Sequence, residues 1–278
     1  MSTLSESGSD VVFADFARSQ AAVVASSWPV AQPLRFSEQG ALPESASFGP
    51  IRTWYLPLKS VVEWLIALAL FIVASPVIVA LAALVKMTSR GPAFYSQTRL
   101  GRNGRHYRIY KLRTMAHNCE AATGAVWARK NDPRVTGLGK VLRDTHLDEL
   151  PQLLNILQGQ MGLIGPRPER PELVPSLIGE IPAYTRRLQV KPGVTGLAQM
   201  LLPADSDLHS VRRKISHDLH YIQHLSPLMD LRIALCTVCY FGAAAAKAGC
   251  KLLVGGYGKA IAAECALPEP DQDVLFDN

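Results

Sequence analysis

The sequence predicts an α+β protein that is mainly helical, with a re-entrant membrane helix broken at a Ser-Pro pair, a small basic β-hairpin and amphipathic interfacial helices. Three observations predict this class: an uncharged apolar segment, strand-like alternation on both sides of Asn103-Gly104, and apolar residues at helical spacing further on. The chain has 278 residues, of which 48% are hydrophobic and 19% are charged. This composition excludes a disordered chain and allows one principal domain with a sizeable core.

The composition divides the chain into a tail, a domain and a second tail. Residues 1–51 are rich in Ser, Ala and Pro and lack sustained periodicity, which predicts a disordered tail. They show no basic start followed by an apolar core, so we expect no signal peptide. Residues 52–253 form the predicted domain, with the membrane helix at 60–86, and the acidic residues 254–278 form a predicted C-terminal tail.

The apolar segment Trp64–Val85 carries no charge over about 22 residues, enough for roughly 33 Å of helix. It is therefore expected to enter a membrane. Pro76 lies near its midpoint, and proline removes one backbone donor and crowds the carbonyl four residues earlier, so the helix should bend there. The Ser75 hydroxyl is then available to the freed carbonyl.

Whether this helix crosses the membrane or returns to the side it entered depends on its flanks. Basic residues lie on both sides, Arg52 and Lys59 before the segment and Lys86 and Arg90 after it, so there is no clear positive-inside asymmetry. A bent helix without that asymmetry favours a re-entrant path. A spanning helix stays open, because proline kinks also occur in transmembrane helices.

The segment from Lys86 to Arg143 is strongly basic. It holds thirteen Lys and Arg residues against two acidic residues, a local charge of +11. Such crowded like charges indicate an anionic partner, either lipid headgroups, a polyphosphate or nucleic acid, unless they only form a solvated face. Residues 93–115 alternate on both sides of Asn103-Gly104, a dipeptide suited to the positive φ angles of a hairpin turn, so we expect a basic β-hairpin here.

Two further helices are predicted towards the C-terminus. Residues 212–225 place apolar side chains on one helical face and so predict an amphipathic helix that ends before Pro227; these side chains are Ile215, Leu219, Ile222 and Leu225. The apolar run at residues 231–254 is interrupted by Lys247 and Lys251. Its longest uncharged part is too short to span a membrane, so we expect a helix that lies in the interface.

Two adjacent carboxylates, Asp148 and Glu149, precede a leucine-rich run. The leucines at positions 150, 153, 154 and 157 have helical spacing, and Pro151 is tolerated only in a first turn, so a helix is expected to start at or near Asp148. In a purely structural interpretation, Asp148 is the N-cap and Glu149 complements the helix dipole, together contributing about 1 to 2 kcal/mol. The other interpretation is that the pair performs chemistry.

The surroundings of the pair favour chemistry. Arg143 lies five residues upstream of Asp148, and Arg167 stands between two prolines in the motif "GPRP", which restricts the backbone that presents its guanidinium. The arginine fork matches a phosphate group bidentately. Two carboxylates could hold Mg²⁺, and an ionised aspartate can also attack phosphorus itself. These residues indicate phosphoryl chemistry at a lipid surface.

Four motifs then carry a family resemblance. They are "KLRTM", "LDELPQLLNIL", "GPRP" and "KPGVTGLAQ", at residues 111–115, 147–157, 165–168 and 191–199. Behind a helix with a central Ser-Pro, this order resembles the monotopic phosphoglycosyl transferases, the bacterial sugar transferases that initiate glycan assembly on a polyprenol phosphate. The resemblance covers the chain from about residue 52 to about residue 250. Four motifs in one order are specific, whereas any one of them alone is weak.

The resemblance implies a catalytic dyad of Asp148 and Glu149. Asp148 would attack the β-phosphate of a nucleotide-diphospho-sugar, expel the nucleoside monophosphate and form a covalent phosphosugar intermediate, which a polyprenyl phosphate then takes. Mg²⁺ would be bound by Asp148 and the diphosphate, and Glu149 would assist the metal or the second nucleophile. Contacts with phosphate or substrate are implied for Arg143, Arg167, Lys111, Arg113 and Lys191.

The resemblance also implies a location and a set of partners. It implies a monotopic protein on the cytoplasmic face of a bacterial inner membrane, in contact with phospholipid and able to form a homo-oligomer. The donor would be a nucleotide-sugar such as a UDP-sugar, and the acceptor a polyprenyl phosphate. The polyprenyl diphosphosugar formed would start the assembly of an exopolysaccharide, a lipopolysaccharide O-antigen or another glycoconjugate.

The sequence departs from the family pattern in two places. Lys191 stands where the family usually has Arg, which loses a bidentate fork. Residues 200–214 replace an expected Asn-Gly-Arg-Asn-like loop, although Asp218 and Tyr221 resemble the Asp-x-x-Tyr element that follows it. These departures leave the nucleotide and the sugar open.

A non-catalytic alternative is a membrane-anchored scaffold or regulator. In that case the basic hairpin binds anionic lipid and the carboxylates only cap a helix. A nucleic-acid partner is disfavoured, because the aromatic residues of the basic segment form no stacking platform beside a recognised motif. Release of a nucleoside monophosphate from a nucleotide-sugar would separate the enzyme from the scaffold.

Overall fold

The computed structural model describes residues 54–119, 132–203 and 208–241, together with Val254 and Tyr257. Apart from Val254 and Tyr257, the predicted tails lie outside these residues. The described part is mainly helical with two small strand pairs, which confirms the coarse fold class. Its helices are α1 Tyr55–Thr88, α2 Gly137–Asp144, α3 Gln152–Leu157, α4 Val174–Glu180, α5 Leu197–Leu201, α6 Leu208–Gln223 and α7 Pro227–Phe241, and its strands are β1 Phe94–Leu100, β2 His106–Leu112, β3 Gly162–Ile164 and β4 Gly193–Thr195.

Helix α1 contains the predicted apolar segment and is 34 residues long, enough to enter or cross a membrane by length and composition. Pro76 lies inside it, and the Ser75 hydroxyl donates a hydrogen bond to the Ile72 carbonyl at 3.0 Å. This is the carbonyl that the proline leaves without its usual donor, so the predicted role of Ser75 is confirmed. The backbone stays helical through both residues. The predicted break is therefore a lost backbone hydrogen bond and not a gap between two helices.

One side of α1 packs against the rest of the protein at both ends and in the middle. Near its start, Tyr55 and Lys59 donate hydrogen bonds to Asp230 of α7. In the middle, Ala67 is fully buried in an apolar cluster with β2 and α3. Near the end, Val85 is buried against β2 and α2. Both ends of the apolar helix therefore lie on the same folded body.

The predicted basic hairpin is confirmed. Strands β1 and β2 pair antiparallel over their full length, from Phe94 opposite Leu112 at one end. The loop between them contains Asn103 with φ 56° and Gly104 with φ 73°. Asn and Gly adopt such positive φ angles at the lowest cost, which is why this dipeptide can turn the chain. The hairpin carries Lys111 in β2, close to the carboxylate pair.

Strands β3 and β4 form a parallel pair, and β3 leads directly into the "GPRP" motif. The backbones approach closely here. A Cβ atom added at Gly193 would lie 2.1 Å from the Gly165 nitrogen, and one added at Gly196 would lie 2.2 Å from the Gly165 carbonyl oxygen. Glycine is therefore required at positions 193 and 196 for the loop at Gly165 to sit where it does.

Helix α6 lies in the core, which differs from the interfacial position predicted for the amphipathic helix. The predicted apolar face is buried, but the polar residues His217 and Asp218 are buried as well. Asp218 is tolerated there because its carboxylate pairs with the buried Arg187 guanidinium at 2.8 Å. The interfacial prediction is wrong for this helix. Its polar side is buried inside the protein, where Arg187 and not water or lipid headgroups contacts Asp218.

Helix α7 has the exposed apolar face that an interfacial helix requires. Its inner side buries Met229, Ile233 and Cys236. Its outer side exposes four large apolar residues with exposed fractions between 45% and 71%, namely Leu228, Leu231, Leu235 and Val238. A contiguous exposed apolar stripe of this kind is typical of a membrane or partner contact. Lys247 and Lys251, on which part of the prediction depended, lie outside the described residues.

Candidate active site

A cavity of about 840 Å³ lies beside the carboxylate pair. It brings together six of the seven site residues predicted for catalysis or phosphate binding, which are Lys111, Arg113, Arg143, Asp148, Glu149 and Arg167. Lys191 does not belong to its lining, so its contact with substrate stays a prediction. The lining also includes polar residues that sequence reasoning did not select, namely Arg99, Arg134, Arg170, His117, His146 and Glu169. Cations therefore outnumber carboxylates around the cavity, as a polyphosphate ligand requires.

The backbone places Asp148 on a tight turn and not at a helix cap. Leu147–Glu149 form a 3₁₀ turn that follows His146, whose φ of 56° lies in the left-handed region. The α-helix starts only at Gln152, after Pro151. Within the described residues no donor binds the Asp148 side chain, so the structural alternative in which Asp148 caps a helix does not hold. The left-handed residue before the turn redirects the chain, and the carboxylate lines the cavity instead.

The Asp148 carboxylate is buried, with the residue only 6% exposed, and lies among several charges. Burial raises its pKa above the ordinary value; the charge of Glu149 also raises it, while Lys111 and Arg143 oppose the rise. A more basic carboxylate oxygen is the stronger nucleophile once it is ionised. Because no donor of the described part binds it, the Asp148 oxygen is available to an electrophile or a cation in the cavity.

Glu149 is engaged in ion pairs, in contrast to its neighbour. Its Oε1 accepts hydrogen bonds from Lys111 Nζ at 2.5 Å and from Arg167 Nη2 at 2.9 Å. Burial alone would raise the pKa of Glu149, but the charges of Arg167 and Lys111 outweigh it and hold the pKa well below its ordinary value. The carboxylate therefore stays ionised and is a weak proton acceptor. Its geometry fits a group that holds two cations in place beside Asp148.

Arg113 and Arg143 both line the cavity but are bound differently. Arg143 uses its Nε to donate to the Thr114 hydroxyl at 2.8 Å, and none of the described residues is bonded to its two terminal amino groups. Those groups are available to a phosphate. Arg113, in contrast, donates to the Ser89 and Arg90 carbonyls at 2.9 and 2.8 Å, and to the Ser89 hydroxyl. Arg113 therefore fastens the end of α1 to the cavity wall.

A buried ion pair supports the loop that carries Arg167. The Arg187 guanidinium pairs with Asp218 and also donates to the Arg167 carbonyl at 2.7 Å. The Asp-x-x-Tyr resemblance identified Asp218 in the sequence. No sequence pattern identified Arg187 as its partner, because the two residues are 31 positions apart and only the fold brings them together.

The donor set fits a magnesium ion that is completed by substrate and water. Asp148 offers hard carboxylate oxygens, whereas Glu149 is occupied by Lys111 and Arg167. Among the described residues no group of three or more His, Cys, Asp or Glu side chains forms a metal cage. Mg²⁺ commonly binds one or two carboxylates and takes its other ligands from phosphates and water. Asp148 with a bound diphosphate would satisfy that preference.

Comparison with known proteins identifies a family and several relatives. Residues 54–243 match the family model described as bacterial sugar transferase. The chain is 44% identical over 173 residues to the UDP-N-acetylgalactosamine-undecaprenyl-phosphate N-acetylgalactosaminephosphotransferase of Aeromonas hydrophila, an alignment that covers 62% of this chain and 40% of that protein. It is 41% identical over 182 residues to the UDP-glucose:undecaprenyl-phosphate glucose-1-phosphate transferase of Caulobacter vibrioides, covering 65% of this chain and 68% of the relative.

A further relative is similar in length to the matched region. The chain is 38% identical over 188 residues to the exopolysaccharide production protein PSS of Rhizobium leguminosarum, which covers 66% of this chain and 94% of that protein. The relatives thus differ in length and, by their names, in the sugar they transfer. The match includes the carboxylate pair, the "GPRP" motif and α1.

Proposed function

Because the chain belongs to the bacterial sugar transferase family, we propose that it transfers a phosphosugar from a nucleotide-diphospho-sugar, a UDP-sugar, to a polyprenyl phosphate. The products are a polyprenyl diphosphosugar and a nucleoside monophosphate. Relatives named as undecaprenyl-phosphate transferases of N-acetylgalactosamine phosphate or glucose 1-phosphate support this reaction class. The product would start the assembly of an exopolysaccharide, an O-antigen or another glycoconjugate.

The observation that carries the proposal is the position of Asp148. Its carboxylate is buried at a basic cavity, and no described donor binds it. A helix cap would be hydrogen-bonded to the backbone, and a structural ion pair would have a cation in contact. A carboxylate that is buried without a donor is costly unless a ligand or a reaction uses it. This supports a nucleophile over the scaffold alternative.

The proposed reaction proceeds by two displacements at phosphorus. An oxygen of the Asp148 carboxylate forms a bond to the β-phosphorus of the donor, and the bond from that phosphorus to the bridging oxygen breaks, so the nucleoside monophosphate leaves with the electron pair. An oxygen of the polyprenyl phosphate then bonds to the same phosphorus and displaces the carboxylate. Arg143 and Arg167 would bind the phosphate oxygens, while Glu149 keeps Lys111 and Arg167 in position.

Mg²⁺ is proposed as the cofactor, held by Asp148 together with the diphosphate of the donor. When bound, it would supply positive charge that neutralises the phosphates. The remaining charge would come from the cations that line the cavity. We expect removal of divalent cations with EDTA to stop nucleoside monophosphate release.

Incubation with a panel of UDP-sugars would test this function, with a polyprenyl phosphate as acceptor and Mg²⁺ present. The expected result is release of UMP from at least one donor and formation of a lipid-linked phosphosugar. A scaffold would bind vesicles of anionic lipid but release no UMP from any donor. The same panel identifies the sugar, since the relatives differ in it.

Arg143→Lys is expected to lower kcat/KM for the nucleotide-sugar about tenfold, because lysine cannot offer the two parallel donors of the guanidinium. The measurement is UMP release at varied donor concentration. Arg105→Lys is the matched control, since Arg105 is exposed in the hairpin loop and does not line the cavity. An Arg143→Lys variant with the kinetics of this control would show that Arg143 does not bind the donor.

The packing of α1 supports a re-entrant helix and a monotopic protein on the cytoplasmic face of the inner membrane. Tyr55 and Val85, near its two ends, are both buried against the same folded body. If the helix simply crossed the bilayer, one end would lie on the far side, away from that body. A helix that enters and leaves on one side keeps both contacts.

Cysteine labelling tests this topology. Trp54→Cys and Met87→Cys introduce thiols at exposed positions on either end of α1, where the native residues are 73% and 81% exposed. In intact cells neither variant is expected to react with a membrane-impermeant maleimide above the wild-type background, and both are expected to react after permeabilisation. Reaction of only one of them in intact cells would show that α1 spans the membrane.

A further inference from the structure

Glu63 lies on α1, away from the cavity lining, yet its carboxylate holds the backbone that leads into the Arg167 loop. Its Oε1 accepts a hydrogen bond from the Ile164 N–H at 2.9 Å. Its other oxygen packs on Gly162, where an added Cβ would lie only 2.5 Å from it. The residue is 7% exposed. Burial of a carboxylate destabilises a protein unless hydrogen-bond donors or cations contact it. The Ile164 N–H is one of the donors that make the buried position of Glu63 possible.

A buried polar cluster around Glu63 and Asp230 contacts both the N–H and the carbonyl of Ile164. The Tyr221 hydroxyl lies 3.3 Å from the Ile164 carbonyl and donates to Asp230 at 2.8 Å. Lys59 joins the two carboxylates, with Nζ 2.7 Å from Glu63 and 2.6 Å from Asp230. Tyr55 of α1 also donates to Asp230, so the apolar helix and the helices α6 and α7 both contribute to this cluster. The peptide at Ile164 is therefore fixed to the position of α1.

The connection from Ile164 to Arg167 is short and stiff. Only Gly165 and Pro166 lie between them. Proline fixes its own φ angle, and Gly165 is packed so closely that an added Cβ would lie 2.5 Å from the Lys191 carbonyl oxygen. A displacement of Ile164 would therefore be passed along this short segment towards Arg167, whose guanidinium lies 2.9 Å from Glu149.

Building on the proposed function, we infer that Glu63 is a positioning residue for the reaction. By holding Ile164, it couples the seating of α1 against the domain to the position of Arg167 beside the donor phosphates, a position that the Arg187 contact also supports. A displaced helix would carry the loop with it, and the loss of one ångström in alignment can cost up to about 100-fold in rate. The membrane helix is in this way a part of the phosphate-binding site and not only an anchor.

Three variants test the role of Glu63. Glu63→Ala removes the acceptor for the Ile164 N–H, whereas Glu63→Gln keeps an acceptor of the same size. Trp64→Phe is the matched control, because the Trp64 indole donates to the Leu157 carbonyl at 3.1 Å and so joins α1 to the domain without touching Ile164. We expect kcat/KM for the UDP-sugar to fall roughly tenfold to 100-fold in Glu63→Ala. We expect Glu63→Gln to recover most of that loss and Trp64→Phe to stay within about twofold of wild type.

A double-mutant cycle separates positioning from general stabilisation. If Glu63 acts through Arg167, adding Glu63→Ala to Arg167→Ala should cost no more than about a further twofold, whereas independent losses would multiply. Multiplied losses, an equally impaired Trp64→Phe variant, or a Glu63→Gln variant as impaired as Glu63→Ala would each overturn the inference.

The wild-type protein distinguishes this inference from the proposed function. If it releases no UMP from any donor, the function fails, and hydrogen exchange at the Ile164 amide still tests the contact. Exchange there is expected to be faster in Glu63→Ala than in Trp64→Phe. Equal exchange in the two variants would show that Glu63 does not hold the loop.

Discussion

Asp148→Asn is expected to lower the rate of nucleoside monophosphate release by at least about a thousandfold. The amide keeps the size of the side chain but offers no carboxylate oxygen to bond with phosphorus. The fold should tolerate the change. Because burial raises the pKa of Asp148, the ionised form costs the folded state free energy at neutral pH, and the neutral amide removes that cost. We therefore expect a Tm equal to or above that of the wild type.

UMP release and thermal unfolding are measured on the same preparations of the variant. Asp144→Asn is the control, since Asp144 is exposed at the end of α2, only four residues upstream. This control should keep both the activity and the Tm of the wild type. If Asp148→Asn turns over like Asp144→Asn, Asp148 is not the nucleophile. If it is inactive only because it unfolds at a lower temperature, its role is structural.

Glu149→Gln is expected to reduce both activity and stability, in contrast to Asp148→Asn. The change removes the charge that Lys111 and Arg167 share, and leaves the half-buried Lys111 and the 43% exposed Arg167 without their common counter-charge. Breaking a largely buried ion pair by removing one partner costs about 2 to 4 kcal/mol once solvent access to Arg167 is taken into account. We expect kcat/KM to fall about 100-fold, because the phosphate-binding cations lose their alignment.

The pH dependence of stability gives an independent check on Glu149. Its pKa is lower in the folded state than its ordinary value of 4.5, so its ionised form stabilises the fold. That contribution is present above the ordinary pKa and is lost as the pH falls towards the folded pKa. The Tm difference between wild type and Glu149→Gln should therefore shrink as the pH is lowered from neutral to about 3. Glu172→Gln is the control, because its carboxylate is 57% exposed and pairs only loosely with Arg170 at 3.9 Å. A constant difference over this range would contradict the assigned ion pairs.

Much of the local structure could be predicted from the sequence because local chemistry decides it. Asn103-Gly104 turns the hairpin by the positive φ angles that these residues allow, and Ser75 compensates the proline that follows it. The composition of the cavity could also be predicted in part. Arg143 and Arg167 stood out because few side chains other than arginine bind phosphate with two parallel donors.

The contacts that could not be predicted join residues far apart in the sequence. The helical spacing of the leucines would put Leu154 on the buried face of its helix, yet it is 36% exposed. Helix α3 is short and buries Asn155 instead, whose amide donates to the Arg108 carbonyl and accepts from the Tyr110 N–H, so that a polar side chain fastens the hairpin to the helix. Hydrophobic periodicity predicts which apolar residues are buried, but it does not identify hydrogen-bond partners that are distant in the sequence. The same holds for Arg187 and for Glu63, which become informative only when the fold shows what they touch.

The most direct test of the account is the mass of the intact protein after incubation with its nucleotide-sugar in the absence of a lipid acceptor. A polypeptide heavier by one phosphosugar, with the addition at Asp148 and absent from Asp148→Asn, is the result that the account predicts. An unchanged mass, together with continued formation of the lipid-linked product once the acceptor is added, would contradict it, because the phosphosugar would then pass to the lipid without ever being bonded to the protein.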